Sequence, residues 1–395
     1  MKKKLRRVLA LFFAAAMVLM VVACAGPATT TDPTPAPADP APQEPANEPA
    51  DPPPDVPAGT KIGVLMPTMS LQRWNQDGDN IKAGLEAVGF EVDLQYGGEN
   101  EVPVQISQIE NMIATGVDVL VIAAIDGFSL TEVLAQAKDK GIPVIAYDRL
   151  IMNTDAVTYY ATFDNWKVGV LQGTFLEDAL DLKAGGGPYN IEFFTGDPQD
   201  NNIYFFFDGA MSVLQPYLDS GVLNCESGQT DILQVATIDW DPANAQARME
   251  NLIATYGYGP NGTALDAVMC SNDSTAQGAT TAIQGAGFTA DDFPLLTGQD
   301  CDIVSVRNMI AGYQAMSVFK DTRTLAANVV DMVIAIVAGT EVPINDRETY
   351  DNSHEDSGLP SNIIPSNLSI PVFGDINNYW ELLIESGYYT EDQLN

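Results

Sequence analysis

The stretch Val144–Leu150, VIAYDRL, ends an apolar run in a carboxylate beside a guanidinium, Asp148 and Arg149. A strand buried on both faces that delivers these two groups at its tip brings an acceptor and a donor to one point. The same delivery recurs along the chain. TMSLQRW carries Arg73 and Trp74, VIAAID ends in Asp126, and GDPQDNN carries Asp200, Asn201 and Asn202. TIDWDP carries Trp240, SND carries Asn272 and Asp273, GQD carries Gln299 and Asp300, and VFKD carries Lys320. Carboxylates, amides, guanidinium and indole together suit a polyhydroxylated ring. Hydroxyls need donor and acceptor partners at once, planar groups bind adjacent pairs of them, and the C–H face of a pyranose packs on an aromatic ring. A phosphate site would need Gly-rich backbone and Lys. A metal site would need His or clustered carboxylates, and the one His, His354, lies in a polar stretch. Taken singly, each residue has a structural alternative: a buried ion pair for Asp148 and Arg149, a core position for either Trp, a turn for Asn202 or Asn272. Their recurrence at the same end of successive strands favours a shared cleft.

The elements that must position these residues alternate strictly. Strands are expected at 61–67, 91–97, 117–126 and 142–148, with helices at 74–89, 102–116 and 129–141, the last with Ser129 as N-cap. After residue 165 the pattern restarts. Helices are expected at 166–180, 205–221, 243–256, 274–287, 301–312 and 322–339, and strands at 189–196, 265–273, 293–300 and 313–321. Continuous apolar strands alternating with helices mean an α/β fold of two doubly wound parallel-sheet lobes, and ligands of such sheets sit beyond the carboxyl ends of the strands. No Gly-x-Gly-x-x-Gly or Walker string follows any strand, and no cofactor is expected.

The N-terminal end is not fold. Residues 1–23, cationic MKKKLRR followed by VLALFFAAAMVLMVVA, read as a secretory signal peptide. Val21-Val22-Ala23-Cys24 resembles a bacterial lipobox, which implies Cys24 as the lipid-bearing first residue of the mature chain. The alternative is an ordinary transmembrane anchor, for which the apolar run is short. Residues 24–58 form an acidic, Pro-rich segment almost free of large apolar side chains, expected to be a disordered tether reaching on the order of 100 Å. With the signal removed, 13 basic residues face 53 acidic ones, a net charge near −40. Such a surface repels nucleic acid and anionic membrane. Cys225, Cys270 and Cys301 are odd in number and fit no zinc spacing. They read as buried free thiols, with Cys270 and Cys301 near enough in predicted strand ends to be neighbours.

From Lys61 onward the chain resembles the type I periplasmic sugar-binding proteins of ABC transporters, nearest to their multiple-monosaccharide and xylose-binding members. The strings that carry it include LQRW, QISQIENMI, GVDVLVIAAIDG, GIPVIAYDRLI, TFDNWKVG, DNN, SND, TGQD, VFKDTR and GYYTEDQL. The resemblance implies two lobes joined by three crossing strands: 59–165 plus about 320–350, and 166–319 plus about 360–395. It implies an aldose in the cleft, with Arg73, Asp148 and Arg149, Asn202, Asn272, Asp300 and Lys320 as polar contacts, and Trp74 and Trp240 as platforms. Asp126 and Asp200 are further candidate contacts. It further implies a monomeric, lipid-anchored receptor on the outer face of the cell membrane that feeds an ABC permease, or a sensor that docks on a membrane receptor kinase. Against an enzyme stands the lack of a paired carboxylate with a distinct acid role, of a metal cluster and of a nucleophile motif. Against a repressor stand the charge and the absence of a leading helix-turn-helix.

Overall fold

The apolar runs become short parallel strands in a computed structural model that describes residues 57–353 and 360–395. The expected signal peptide, Cys24 and nearly all of the Pro-rich tether lie outside the described residues, as does His354. Among the described residues no helix is long and apolar enough to cross a membrane.

The first lobe is built on β1 (Lys61–Met66), β2 (Glu91–Tyr96), β3 (Val119–Ile122), β4 (Val144–Tyr147) and β5 (Tyr159–Phe163). Helices α1 (Gln72–Val88), α2 (Val102–Thr115) and α3 (Thr131–Asp139) alternate with them. The period of two along each strand sorts its side chains onto two faces. Leu65, Leu120, Ile122, Val144 and Ala146 pack against Ile109 and Met112 of α2 and Val133 and Leu134 of α3. Val64, Val121, Ile145 and Tyr147 point the other way, onto Ile81 and Leu85 of α1.

The second lobe repeats the scheme. Its strands are β6 (Tyr189–Phe194), β7 (Leu223–Asn224), β8 (Ala267–Cys270) and β9 (Leu295–Leu296), in the parallel order β7-β6-β8-β9. Around them lie α4 (Asn165–Ala179), α5 (Asn202–Asp219), α6 (Pro242–Tyr256), α7 (Asp273–Gly285) and α8 (Ile303–Ala311). The closing elements are β10 (Met316–Phe319), α9 (Thr322–Ala338), β11 (Ser366–Ser369), β12 (Val372–Asp375) and the short α10 (Glu391–Leu394).

These closing elements stitch the lobes together. The six-stranded parallel sheet of the first lobe runs β11-β5-β4-β3-β1-β2, while β10 and β12 pair antiparallel beside the second sheet. The chain therefore crosses between lobes three times: between β5 and α4, between β10 and α9, and between β11 and β12. Helix α9 returns to pack Leu325, Val329 and Val333 into the face that holds α1.

Several details depart from the sequence expectation. Residues 366–369 belong to the first sheet, paired with β5, whereas the chain after about 360 was expected in the second lobe. The reason is that the third crossing lies at 370–371, after β11. Ser129 is not an N-cap: α3 begins at Thr131, and the Ser129 hydroxyl bonds the Asp126 carboxylate instead. Cys225 is only partly buried, whereas Cys270 and Cys301 are buried free thiols as expected.

Candidate functional site

The loops beyond the strand ends of both sheets converge on one cavity between the lobes, with about 430 Å³ of space unoccupied by atoms. The first lobe lines it with Arg73, Trp74, Asp148 and Arg149; the second lines it with Asp200, Asn202, Trp240, Asn272 and Asp300. Helix α1 starts at Gln72, so Arg73 and Trp74 occupy its first turn and are both buried. Asn202 occupies the first position of α5 and Asn272 caps α7, accepting from the Thr275 N–H at 3.0 Å.

The backbone is unusual at this site. Asp148 (φ 58°), Trp240 (φ 55°) and Asp300 (φ 97°) all lie in the left-handed region, where a non-glycine residue persists only if its surroundings hold it. At Asp148 the holding groups are evident. Its carbonyl accepts from Tyr160 Oη at 2.6 Å, Asn202 Nδ2 at 2.9 Å and Thr162 Oγ1 at 3.0 Å. Trp240 sits on Gly196, where any Cβ would overlap the indole ring.

Charges in the wall are matched across the cleft. Arg73 Nε pairs with Asp77 at 3.0 Å, Nη2 with Asp148, and Nη1 with Asp300 of the other lobe at 3.4 Å. Lys320 is buried behind the wall, 3.3 Å from Asp148 and 4.0 Å from Asp300. Arg149 lies 3.1 Å from Asp200 of the second lobe and donates to the carbonyls of Ala124 (3.0 Å) and Ile125 (3.2 Å). So Asp148 and Arg149 form no direct ion pair, although adjacent in sequence; the left-handed turn between them sends each to a separate partner. Both guanidiniums also lie about 5 Å from the centre of the Trp74 ring.

These pairings set the protonation states. Burial opposes ionisation of Asp148, but Arg73 and Lys320 outweigh it and hold the carboxyl at about 2. Burial raises Asp77 to about 6 despite Arg73. Burial and the neighbouring Asp300 raise Asp302 to about 7. Burial and Arg73 lower Lys320, while Asp148 and Asp300 counteract them.

Asp126 is not brought to the cavity. Its carboxylate holds a turn, accepting from the Phe128 N–H at 2.8 Å and from Ser129, and reaches Gln199 of the second lobe at 3.4 Å. The cavity wall also includes Leu71, Phe206, Ser274, Gln299 and Asp302, none of them expected contacts. Gln299 was visible beside Asp300 in GQD. Phe206 and Ser274 sit inside helices, where side-chain type alone gives no sign of a ligand. Among the described residues, four wall atoms are buried without a hydrogen-bond partner: Arg149 Nε, whose geometry toward Asp200 is poor, Trp240 Nε1, Gln299 Oε1 and Asp302 Oδ1. Buried polar atoms are normally paired, and these four lie in the residues that line the cavity. No group of His, Cys, Asp and Glu among the described residues is placed to hold a metal ion.

Residues 62–341 match the periplasmic binding protein domain. The chain is 50% identical over 335 residues to the multiple sugar-binding periplasmic receptor ChvE of Rhizobium radiobacter, covering 84% of this chain and 92% of that one. It is 36% identical over 335 residues to the D-xylose-binding periplasmic protein of Escherichia coli, covering 85% and 92%. Among solved structures, an ABC transporter solute-binding protein from Clostridium phytofermentans with bound β-D-glucose superposes with a TM-score of 0.81 at 56% identity, over 85% of this chain and 100% of that one.

Proposed function

The chain belongs to the periplasmic sugar-binding proteins of the type I fold, and on that premise we propose that its cavity captures one unphosphorylated aldose, such as glucose, galactose, xylose or arabinose, without turning it over. The observation that carries the reading is the wall itself. Charges pair across the cleft, Arg73 with Asp300 and Arg149 with Asp200, while wall atoms such as Trp240 Nε1 and Gln299 Oε1 have no hydrogen-bond partner among the described residues. A neutral polyhydroxylated ring satisfies such a wall; an anionic ligand would face the surplus of carboxylates. The glucose in the Clostridium phytofermentans relative supports the same class.

Arg73, Asp148, Arg149, Asn202, Asn272 and Asp300 would hold hydroxyls, with Trp74 and Trp240 against the ring, Asp200 supporting Arg149 and Lys320 supporting Asp148. The lobes would close as a hinge, and the closed form would deliver sugar to an ABC permease. Cys24 would carry the lipid that keeps a monomeric receptor on the outer face of the cell membrane. A calorimetric screen of the mature chain against aldoses and their phosphates tests the site. Binding of at least one free aldose without product is expected; no binding, or sustained turnover, overturns the reading. Cys24→Ala in the native host should release protein to the medium or leave the precursor uncut; an unchanged distribution rejects the anchor.

A further inference from the structure

Resting on the monosaccharide reading, we propose that Gln299 is a specificity-determining residue whose carboxamide reads one hydroxyl of the bound aldose. Gln299 is 2% exposed and lines the cavity from the second lobe. Among the described residues its side chain makes no hydrogen bond, and its Oε1 is fully buried. Two other buried glutamines of this lobe likewise leave Oε1 unpaired, but their Nε2 groups are bonded. Gln172 donates to the carbonyls of Cys270, Ser271 and Gly298, and Gln314 donates to Asp273 and to the Met316 carbonyl. Those two are structural ties; Gln299 ties nothing.

The backbone at Gln299 is fixed. Its carbonyl accepts from the Asp273 N–H at 2.9 Å, and the flanking backbone is fixed by Val318 N–H to Gly298 O at 2.9 Å and Asp300 N–H to Val318 O at 2.8 Å. At Gly298 a Cβ would overlap the Asp273 carboxylate, so the segment is seated as closely as backbone allows. The backbone thus seats Gln299 at the wall, and its Oε1 has no partner among the described residues.

Arg73, Asp148, Arg149, Asp200 and Asp300 already have ionic partners, whereas the Gln299 side chain has no hydrogen bond among the described residues. A sugar whose hydroxyl points away at the facing carbon leaves the amide unpaired, and a site built to bond a hydroxyl rejects an analogue lacking it far more strongly than a merely apolar pocket does. Gln299 is therefore placed to discriminate epimers.

The test is calorimetric titration of the mature chain and of Gln299→Met, which keeps length and removes both polar atoms. The probes are the tightest binder among D-glucose, D-galactose, D-xylose and L-arabinose, and its monodeoxy series. Gln299→Met should weaken the parent sugar by roughly tenfold or more. One deoxy sugar should bind wild type and variant alike, which identifies the hydroxyl that is read. Gln299→Asn, which draws the carboxamide back by one methylene, should show the same pattern and serves if the Met variant unfolds. Unchanged binding by the variants, or an equal loss for every deoxy sugar, overturns the proposal. A wild type that binds none of the four aldoses removes the monosaccharide reading and this role with it.

Discussion

Asp148 answers to two cations, and this fixes what its loss should do. Asp148→Ala leaves Arg73 with Asp77 and Asp300, and leaves the buried Lys320 with only Asp300, 4.0 Å away. Removing one member of a buried ionic cluster costs roughly 3–5 kcal/mol of stability. Binding should weaken by roughly 2–5 kcal/mol as well. Denaturant unfolding and calorimetry together check this; a variant that loses binding with undiminished stability would show that Arg73 and Lys320 do not need it. Trp240→Phe is a gentler probe. It keeps an aromatic ring on Gly196 and deletes the open Nε1 donor, so affinity should fall by about 0.5–1.5 kcal/mol with the fold intact. Most wall residues were legible because charged and aromatic types at successive strand ends stand out from apolar runs. Partnering was not legible. That Asp148 reaches Arg73 rather than Arg149 depends on a left-handed φ that no residue type announces. Asp126 misled because a carboxylate at a strand end looks the same whether it faces a ligand or closes its own turn.

Elements set where the wall groups stand. The Trp240 turn rests on the backbone just beyond β6, and Gly196 is the only side-chain type that leaves room for the indole. Gly196→Ala should therefore push Trp240 into the cavity and weaken sugar binding at least tenfold, while overpacking costs about 1–3 kcal/mol of stability. Titration beside thermal unfolding separates the two effects; wild-type affinity in the variant would mean that Trp240 does not depend on this seat. Helices with a clear apolar stripe, such as α2 and α9, were legible nearly to the residue. Strands β5 and β11 were not. β5 runs straight into Asp164, the cap of α4, with no turn residue to mark its end, and β11 (SNLS) is short and polar because neighbouring strand and loop, rather than its own composition, bury it.

At the scale of the whole molecule, acid should strengthen this protein down to moderately low pH. Asp77 (about 6) and half-buried Asp302 (about 7) are raised above the ordinary 3.8. Each contributes stability that is fully present below pH 3.8 and lost as pH rises through its folded value. Asp148 is depressed to about 2, so its contribution is present above 3.8 and lost only as pH falls through about 2. Thermal unfolding should thus be higher near pH 5 than at pH 8, and Asp302→Asn should narrow the difference; an equal or larger difference in that variant would place the effect in the other raised carboxyls, Asp77 and Asp273, or in the general negative charge. Two lobes were legible from the restart of the alternating pattern. The manner of joining was not derivable from periodicity, since β5 and β11 pair across about 200 intervening residues. That joining bears on inheritance. Because the chain passes between lobes three times, neither lobe is one continuous stretch of gene. A single recombination event cannot exchange one lobe for another with a different taste, and a single proteolytic cut cannot set one free. New sugar preferences in such a scaffold must arise chiefly by substitution within the wall, one codon at a time.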